Sequence, residues 1–353
     1  MNILVTGTDG YIGSLLGPLL MDRGHEVVGL DTGFYRDSAL YNSRVRTTPR
    51  CINKDIRHVT MEDLLGFDAV VHLAELSNDP LGQHSPEITY KINHQGTVQL
   101  ARACKQVGIE RFVYTSSCSV YGVGSDDYRT ETYETNPQTA YAKCKVMVER
   151  DVAQMAEDRF SPTFLRNATA YGPSPRMRFD LVLNNLGGLA WTTNKIAMTS
   201  DGTPWRPLVH VLDICHAIAC ALEAPREAVH NEIFNVGDTK QNYQVREIAQ
   251  IVAQAFPNCE LTLGKSDGDQ RSYRVSFEKI NTRLPGFACR RDAHIGAQQL
   301  FELFERIQMS REMFEFRSFT RLKQLQYLIK TAQIDQDFFW RQATPPIERR
   351  NAA

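Results

Sequence analysis

The chain has 353 residues, 42% of them hydrophobic, enough for one large two-lobed unit with a core well above marginal size. Its 40 basic and 41 acidic side chains leave a formal charge of −1, so no basic surplus points to nucleic acid or an anionic membrane, and a small-molecule partner is favoured. The 8 cysteines are scattered without the CxxC spacing of a zinc site or dithiol pair, which fits reduced thiols in a cytosol and no metal. The opening MNILVTG enters an apolar strand without a basic leader, and no apolar run approaches the roughly 18 residues of a membrane span, so a cytoplasmic, unprocessed protein is expected.

Short β-branched runs alternate with longer helical patterns through the first half: ILVTG, EVVGLD, the run ending at Asp55, AVVHLA and RFVYTSS. Amphipathic stretches at 86–108 and 140–158 are long enough to be crossover helices. This rhythm predicts an α/β fold, a Rossmann-type doubly wound parallel sheet over residues 1–165 with strands returning around 205–240. After SPTFLRN, Pro173, Pro175, Gly187, Gly188, Pro204 and Pro207 punctuate the chain, and 166–204 with 241–353 are assigned to a smaller C-terminal α/β lobe. From Ile295 the pattern is helical and charged, a lobe-building or lid segment, and the polar tail from Thr344 is expected to fray.

Directly after the first strand, Gly7, Gly10 and Gly13 form a GxxGxxG turn, with Tyr11 and Ile12 inside it, that opens an apolar helix. Such a turn lets backbone approach a pyrophosphate without a Cβ in the way and presents helix N–H groups to its charge. The second strand ends at Asp31, whose carboxylate can accept both hydroxyls of an adenosine ribose and repels a 2′-phosphate, favouring NAD over NADP. Arg36 stands near enough in sequence to soften that preference. The alternative is a glycine turn that only packs strand on helix, with Asp31 as a helix cap. Asp55, followed by Ile56, closes the third strand and either meets the adenine or sits in an exposed turn.

Tyr141 and Lys145 are four residues apart, hence on one face of a helix. A phenol has a pKa near 10, and a lysine charge about 4 Å away at an effective dielectric near 20 is worth roughly 4 kcal/mol, or about three units before desolvation opposes it. Tyr141 can thus be a base near neutral pH. The strand RFVYT runs into Ser116, Ser117, Cys118 and Ser119, placing hydroxyls at the carboxyl end of a sheet strand, where α/β proteins bind ligands. The bland reading is a strand-end cap at Ser117, a core aromatic at Tyr141 and a solvated charge at Lys145.

The glycine turn, His72-Leu73-Ala74, the SSxSVYG stretch, YxxxK and LRNATAYGP at 165–173 fall in the order and spacing of the nucleotide-sugar epimerase/dehydratase group of the extended short-chain dehydrogenase/reductase family. The sequence resembles UDP-galactose 4-epimerase-like members over nearly its whole length. That resemblance implies NAD as cofactor, held by the glycine turn, Asp31, Asp55, Ile56, Leu73, Ala74, Asn93, Ser116, Tyr141 and Lys145, with Asn93 as the family's structural asparagine. It implies that Ser117 bonds the reacting sugar hydroxyl, Tyr141 takes its proton, and Lys145 holds the nicotinamide ribose. It also implies a homodimer formed through the helices at 86–108 and 140–158.

The dehydratases of this group carry an Asp-Glu pair after the hydroxyl residue; this chain has Cys118 and Ser119, which argues against dehydration and decarboxylation. Cys118 is either a buried filler or, with a loop correcting its direction, the acid or base of a 3- or 5-epimerase. What needs no further acid or base is 4- or 2-epimerisation, by oxidation to a keto sugar and hydride return. A reductase of a nucleotide-linked 4-keto sugar is the alternative, and a non-catalytic dinucleotide sensor the competitor outside enzymes. For the substrate, Arg206 matches the family's diphosphate arginine and Arg271 resembles a second contact or is a surface ion pair. Asn185, in preference to Asn184, opens the helix that receives the diphosphate, and Thr169 stands where the family has its sugar-contacting asparagine, with Asn167 displaced by two. Cys118 and Ser119 complete the substrate set. Arg176, Arg178 and Asp180 either touch substrate or decorate the surface; Tyr121 walls the sugar pocket or is core. The segment after Ile295 is expected to cover the sugar.

Overall fold

The computed structural model describes residues 1–36, 38–42, 48–77, 83, 85–123, 127–265 and 271–341; the tail read from Thr344 lies outside them. Seven strands form one parallel sheet: β1 (Asn2–Thr6), β2 (Glu26–Asp31), β3 (Arg50–Asn53), β4 (Ala69–His72), β5 (Arg111–Ser117), β6 (Ser161–Asn167) and β7 (Glu232–Val236). Their order is β3-β2-β1-β4-β5-β6-β7, so the winding direction reverses between β1 and β4. At such a switch point two neighbouring strands send their continuations to opposite faces, and the crevice left at their carboxyl ends is where these folds take ligands. The third strand stops at Asn53 rather than Asp55. Asp55 instead caps a 3-10 turn, accepting from the Arg57 N–H at 2.8 Å.

Both faces of the sheet are covered, as expected for strands that are buried throughout. One core packs Ile3, Val5, Val71 and Val113 against helices Gly13–Asp22 and Val211–Glu223. The other packs Leu4, Val70, Phe112 and Tyr114 against residues of 86–107, helix Ala140–Ala153 and helix Arg321–Lys330. The expected helix at 86–108 is one continuous rod with a wide π-helical turn at its centre, Tyr90–Gly96, ending at Gly108 with φ +86°. Such insertions often mark functional sites, and this one carries Asn93. The second helix ends at Ala153, short of 158.

A third core, built by helices Val182–Thr193, Val245–Ala255 and Ala293–Arg306, is the second lobe. Of the stretch 205–240 only β7 joins the large sheet. Trp205–His210 pairs instead with Thr169–Tyr171 and Asn242–Gln244 in a small sheet that roots the lobe. The two lobes are joined by buried polar bonds: Tyr11 Oη donates to the Gly172 carbonyl at 2.6 Å, and Asn184 bonds Gly172 N, Tyr11 Oη and the Arg178 carbonyl. Among the described residues no helix is long and apolar enough to cross a membrane.

Candidate active site

A cavity of about 660 Å³ runs from the carboxyl ends of β1, β2 and β4, past β5, to the second lobe. Its first end is made by the glycine turn. Gly7 adopts φ +76°, open to glycine but costly for other residues, and a Cβ there would press on the Leu73–Ala74 backbone at 2.9 Å. A Cβ on Gly13 would collide with the Gly7 carbonyl, whereas at Gly10 the nearest atom is Gly7 O at 3.0 Å, so the turn is bare where it faces the cavity. No side chain caps the helix that follows and its first turn has no acid, leaving N–H groups for an anion.

Asp31 is half-buried in the same wall, accepting from Gly33 N at 2.8 Å and Asp9 N at 3.0 Å. Burial pushes its carboxyl up to about 6. Asp55 and Ile56 line this end too, and Asp55 is engaged by Arg57 through both of its oxygens, at 2.9 Å from Nε and 2.8 Å from Nη2. Arg36 bonds Asn53 Oδ1 at 2.9 Å and is exposed. Leu73 and Ala74 line the floor. His72 beneath them is fully buried between Thr6 Oγ1 at 2.7 Å and Thr97 Oγ1 at 2.8 Å, neutral because burial drops its pKa to about 3. Asn93 is not in the cavity wall. Its amide brackets Leu76, accepting from its N–H and donating to its carbonyl, and so fixes the loop after β4.

Thr139 caps helix Ala140–Ala153 through the Ala142 N–H at 3.2 Å, and the helix presents Tyr141 and Lys145 to the cavity together. Lys145 Nζ stands 5.3 Å from the centre of the Tyr141 ring and donates to the Thr115 carbonyl at 2.5 Å. Its other partner was not foreseen: Glu75, directly after His72-Leu73-Ala74, makes a buried ion pair with it, the two side chains being 3% and 4% exposed. Tyr114 donates to the other Glu75 oxygen at 2.7 Å. Burial works against the lysine charge, but Glu75 and Tyr141 more than offset it and raise the Lys145 pKa. Burial pushes the Glu75 carboxyl up, with Lys145 opposing. A carboxylate set at the end of an otherwise apolar strand was the signal in the sequence, because carboxylates are almost never fully buried without a partner.

Ser116 and Ser117 end β5 at the cavity, but their hydroxyls diverge. Ser116 Oγ donates to Glu149 at 2.5 Å, and Glu149 holds Arg166 at 2.7 Å in a buried pair that also takes in Tyr121. Tyr121 is therefore core. Ser117 Oγ accepts from Ser119 N at 3.2 Å and faces the cavity with Ser119. Cys118 points away, contrary to its assignment to the substrate set: the chain enters a 3-10 turn at Cys118–Tyr121, the thiol is 1% exposed against the Arg166 carbonyl at 3.1 Å, and burial raises its pKa. Of the buried polar atoms in the wall, Ser119 Oγ and Asn167 Oδ1 have neither a hydrogen-bond nor an ion-pair partner among the described residues. Buried polar groups are normally satisfied, so they mark where a polar ligand belongs.

At the far end, Thr169 and Asn167 both line the cavity, so the displaced asparagine joins the wall rather than leaving it. Asn185 lines it, while Asn184 is the buried lobe connector. Arg206 and Arg271 meet there: an Arg206 guanidinium N–H bonds the Arg271 carbonyl. Arg178, paired with Asp180 at 2.9 Å, lines the wall, whereas Arg176 reaches the Arg36 carbonyl instead. Helix Arg321–Lys330 packs at the cofactor end, with Gln324 bonding the Phe34 carbonyl at 2.9 Å, so this part of the segment after Ile295 covers the dinucleotide half and not the sugar. Among the described residues no cluster of His, Cys, Asp and Glu could hold a metal.

Residues 3–237 match the NAD dependent epimerase/dehydratase family. A UDP-glucose 4-epimerase of Corynebacterium glutamicum is 30% identical over 301 residues, 80% of this chain and 90% of that one. The structure of MoeE5 in complex with UDP-glucuronic acid and NAD superposes with a TM-score of 0.73 at 28% identity, covering 87% of this chain and 99% of that one. An NAD-dependent NDP-hexosamine 5,6-dehydratase, TunA, shares the fold with a TM-score of 0.76 at 23% identity, covering 86% and 98%. With the glycine turn, the acid that ends β2 and one cavity that runs from both of them to the second lobe, the chain belongs to the NAD-dependent epimerase/dehydratase family of extended short-chain dehydrogenases/reductases, and its cofactor is NAD.

Proposed function

We propose that this enzyme is a nucleotide-sugar epimerase that inverts carbon 4 or 2 by oxidation to a keto sugar and return. The observation that carries the reading is how the carboxylates of the cavity wall are engaged. Asp31 takes two backbone N–H groups, Asp55 pairs with Arg57, Glu75 with Lys145, and Asp180 with Arg178. With Cys118 turned into the core, elimination or carbon-acid chemistry finds, among the described residues, no disengaged acid or base beside Ser117 and Tyr141, whereas oxidation and return need only one.

In this reading Ser117 bonds the reacting hydroxyl and the Tyr141 oxygen receives its proton. Lys145, fixed by Glu75 and Thr115, lends charge that favours the phenolate and keeps an N–H for the nicotinamide ribose. Ser119 and Asn167 orient the sugar, and Arg206 and Arg271 hold its diphosphate. Bound NAD supplies the hydride acceptor and then the donor. After the ketone turns, Tyr141 would return its proton to the sugar oxygen. The names of the relatives, a UDP-glucose 4-epimerase among them, support a nucleotide-activated sugar. A homodimer is part of the same proposal and rests on the family resemblance, and a cytoplasmic location rests on the scattered free thiols.

The test is a panel of nucleotide sugars incubated in deuterated water and followed by NMR. An epimer without carbon-bound deuterium and without net NADH supports the reading. Deuterium at carbon 3 or 5, an eliminated product, or net NADH consumption overturns it.

The Asp31 contact gives a pH dependence. Ribose hydroxyls donate to a carboxylate, so binding needs Asp31 ionised, and its pKa in the free protein is raised to about 6. Above that pH the affinity for NAD is flat. Below it the affinity falls about tenfold per unit, because binding must expel a proton. Calorimetric titrations between pH 5 and pH 8 are expected to show this break, and Asp31→Asn to remove it along with most of the affinity.

A further inference from the structure

The chain beyond residue 237 lies outside the family match, yet it supplies part of the cofactor end of the cavity. Arg321, first residue of the helix Arg321–Lys330, is 2% exposed and lines the wall. Its guanidinium lies 4.0 Å from the centre of the Tyr35 ring and donates to the carbonyls of Ser318 at 3.2 Å and Arg176 at 3.4 Å. Among the described residues no carboxylate stands within ion-pair distance of it, whereas Arg178 in the same wall has Asp180 at 2.9 Å. Burial, with the positive charge of Arg178 adding to it and Tyr35, Asp180 and Asp31 opposing, lowers the Arg321 pKa to about 10. A buried cation whose nearest carboxylates stand beyond ion-pair distance is costly unless an anion completes the site.

The segment is anchored where the adenosine half of the dinucleotide belongs. Trp340 Nε1 donates to the Thr32 carbonyl at 2.7 Å, one residue past Asp31. Arg57, the partner of Asp55, donates to the Asp337 carbonyl at 2.8 Å and lies 3.8 Å over the Phe339 ring. Residues 321–340 are therefore anchored at that end, where Arg321 shares the cavity wall with Asp31 and Arg178.

We infer that Arg321 is a cofactor-binding residue supplied by the C-terminal segment, its guanidinium neutralising the diphosphate of the bound dinucleotide. This rests on NAD as cofactor and not on which sugar reaction follows. The cation that the free protein carries at a cost becomes, in the loaded protein, half of a charge-assisted contact.

The test compares wild type and Arg321→Met, both stripped of cofactor, by calorimetry with NAD, ADP-ribose and adenosine, and by thermal melting with and without NAD. Removing a charge-assisted contact to a diphosphate is expected to weaken NAD and ADP-ribose roughly 10- to 100-fold. Adenosine affinity stays within about twofold, as it carries no phosphate for Arg321 to meet. The melting temperature of the free variant stays level or rises, since a buried charge without a direct ion pair is gone, while the increment conferred by NAD shrinks. Unchanged NAD affinity overturns the inference, as does a free variant that melts lower and weakens all three ligands alike, the mark of a merely structural arginine. Should Arg321→Met not fold, Arg321→Gln decides with the same ligands: selective weakening of the two diphosphates supports the assignment, and wild-type affinity for all three overturns it.

Discussion

Tyr141→Phe is expected to lower kcat by about 10²–10⁴, the usual worth of a positioned acid–base group, with NAD affinity within about twofold of wild type. The substitution removes one oxygen from a partly exposed ring and leaves Lys145, Glu75 and the glycine turn untouched, so folding and cofactor binding report on the rest of the site. The assay uses the nucleotide sugar that wild type converts, with kcat and KM measured separately. A loss confined to kcat assigns Tyr141 to the proton transfer itself. A loss below about fivefold means that another group takes the proton, since general-base contributions are rarely so small.

The second large effect concerns stability. Lys145→Met at pH 7 strands Glu75, a carboxylate 3% exposed whose other partner is the neutral Tyr114 hydroxyl. Breaking a buried pair from one side costs about 3–5 kcal/mol, because a charge is left without water or partner. Adding Glu75→Gln to Lys145→Met removes that charge while keeping an oxygen for Tyr114, and is expected to recover most of the loss without recovering turnover. Urea unfolding of the cofactor-free proteins measures the cycle, read as the coupling between the two sites. A Lys145→Met cost below about 1 kcal/mol would show that the pair is hydrated and contributes as little as a surface ion pair does.

The parts of this molecule legible in its sequence are those whose geometry is local. Gly7, Gly10 and Gly13 announce their turn because only a missing Cβ fits there, and Tyr141 and Lys145 share a face because four residues complete about one helical turn. The alternation of strands and helices gave the parallel sheet for the same reason. What escaped depends on tertiary closure. Glu75 meets a lysine 70 residues later, and nothing near either of them says so. Arg321 reaches Tyr35 across 286 residues. Strand parity already turned Cys118 away from the cavity; its place in the substrate set supposed that a loop corrects that direction, and the 3-10 turn after Ser117 does not, leaving Ser119 at the cavity and the thiol in the core. The lobe strand Trp205–His210 was assigned to the large sheet because its composition suits either sheet; only its register with Thr169–Tyr171 tells them apart.

The bond from Trp340 to Thr32 spans 308 residues. During synthesis the sheet from β1 to β7 has all its strands once Val236 has left the ribosome, but the wall that Arg321 contributes is still unmade. Domains fold as their chains emerge, N-terminal parts first, and contacts of such sequence separation form late. A nascent chain therefore holds the glycine turn and Asp31 before it can close over a dinucleotide, and the added stability that a ligand confers on the state that binds it arrives only with the finished segment. Cofactor retention thus distinguishes chains that have completed their fold from those truncated before residue 321.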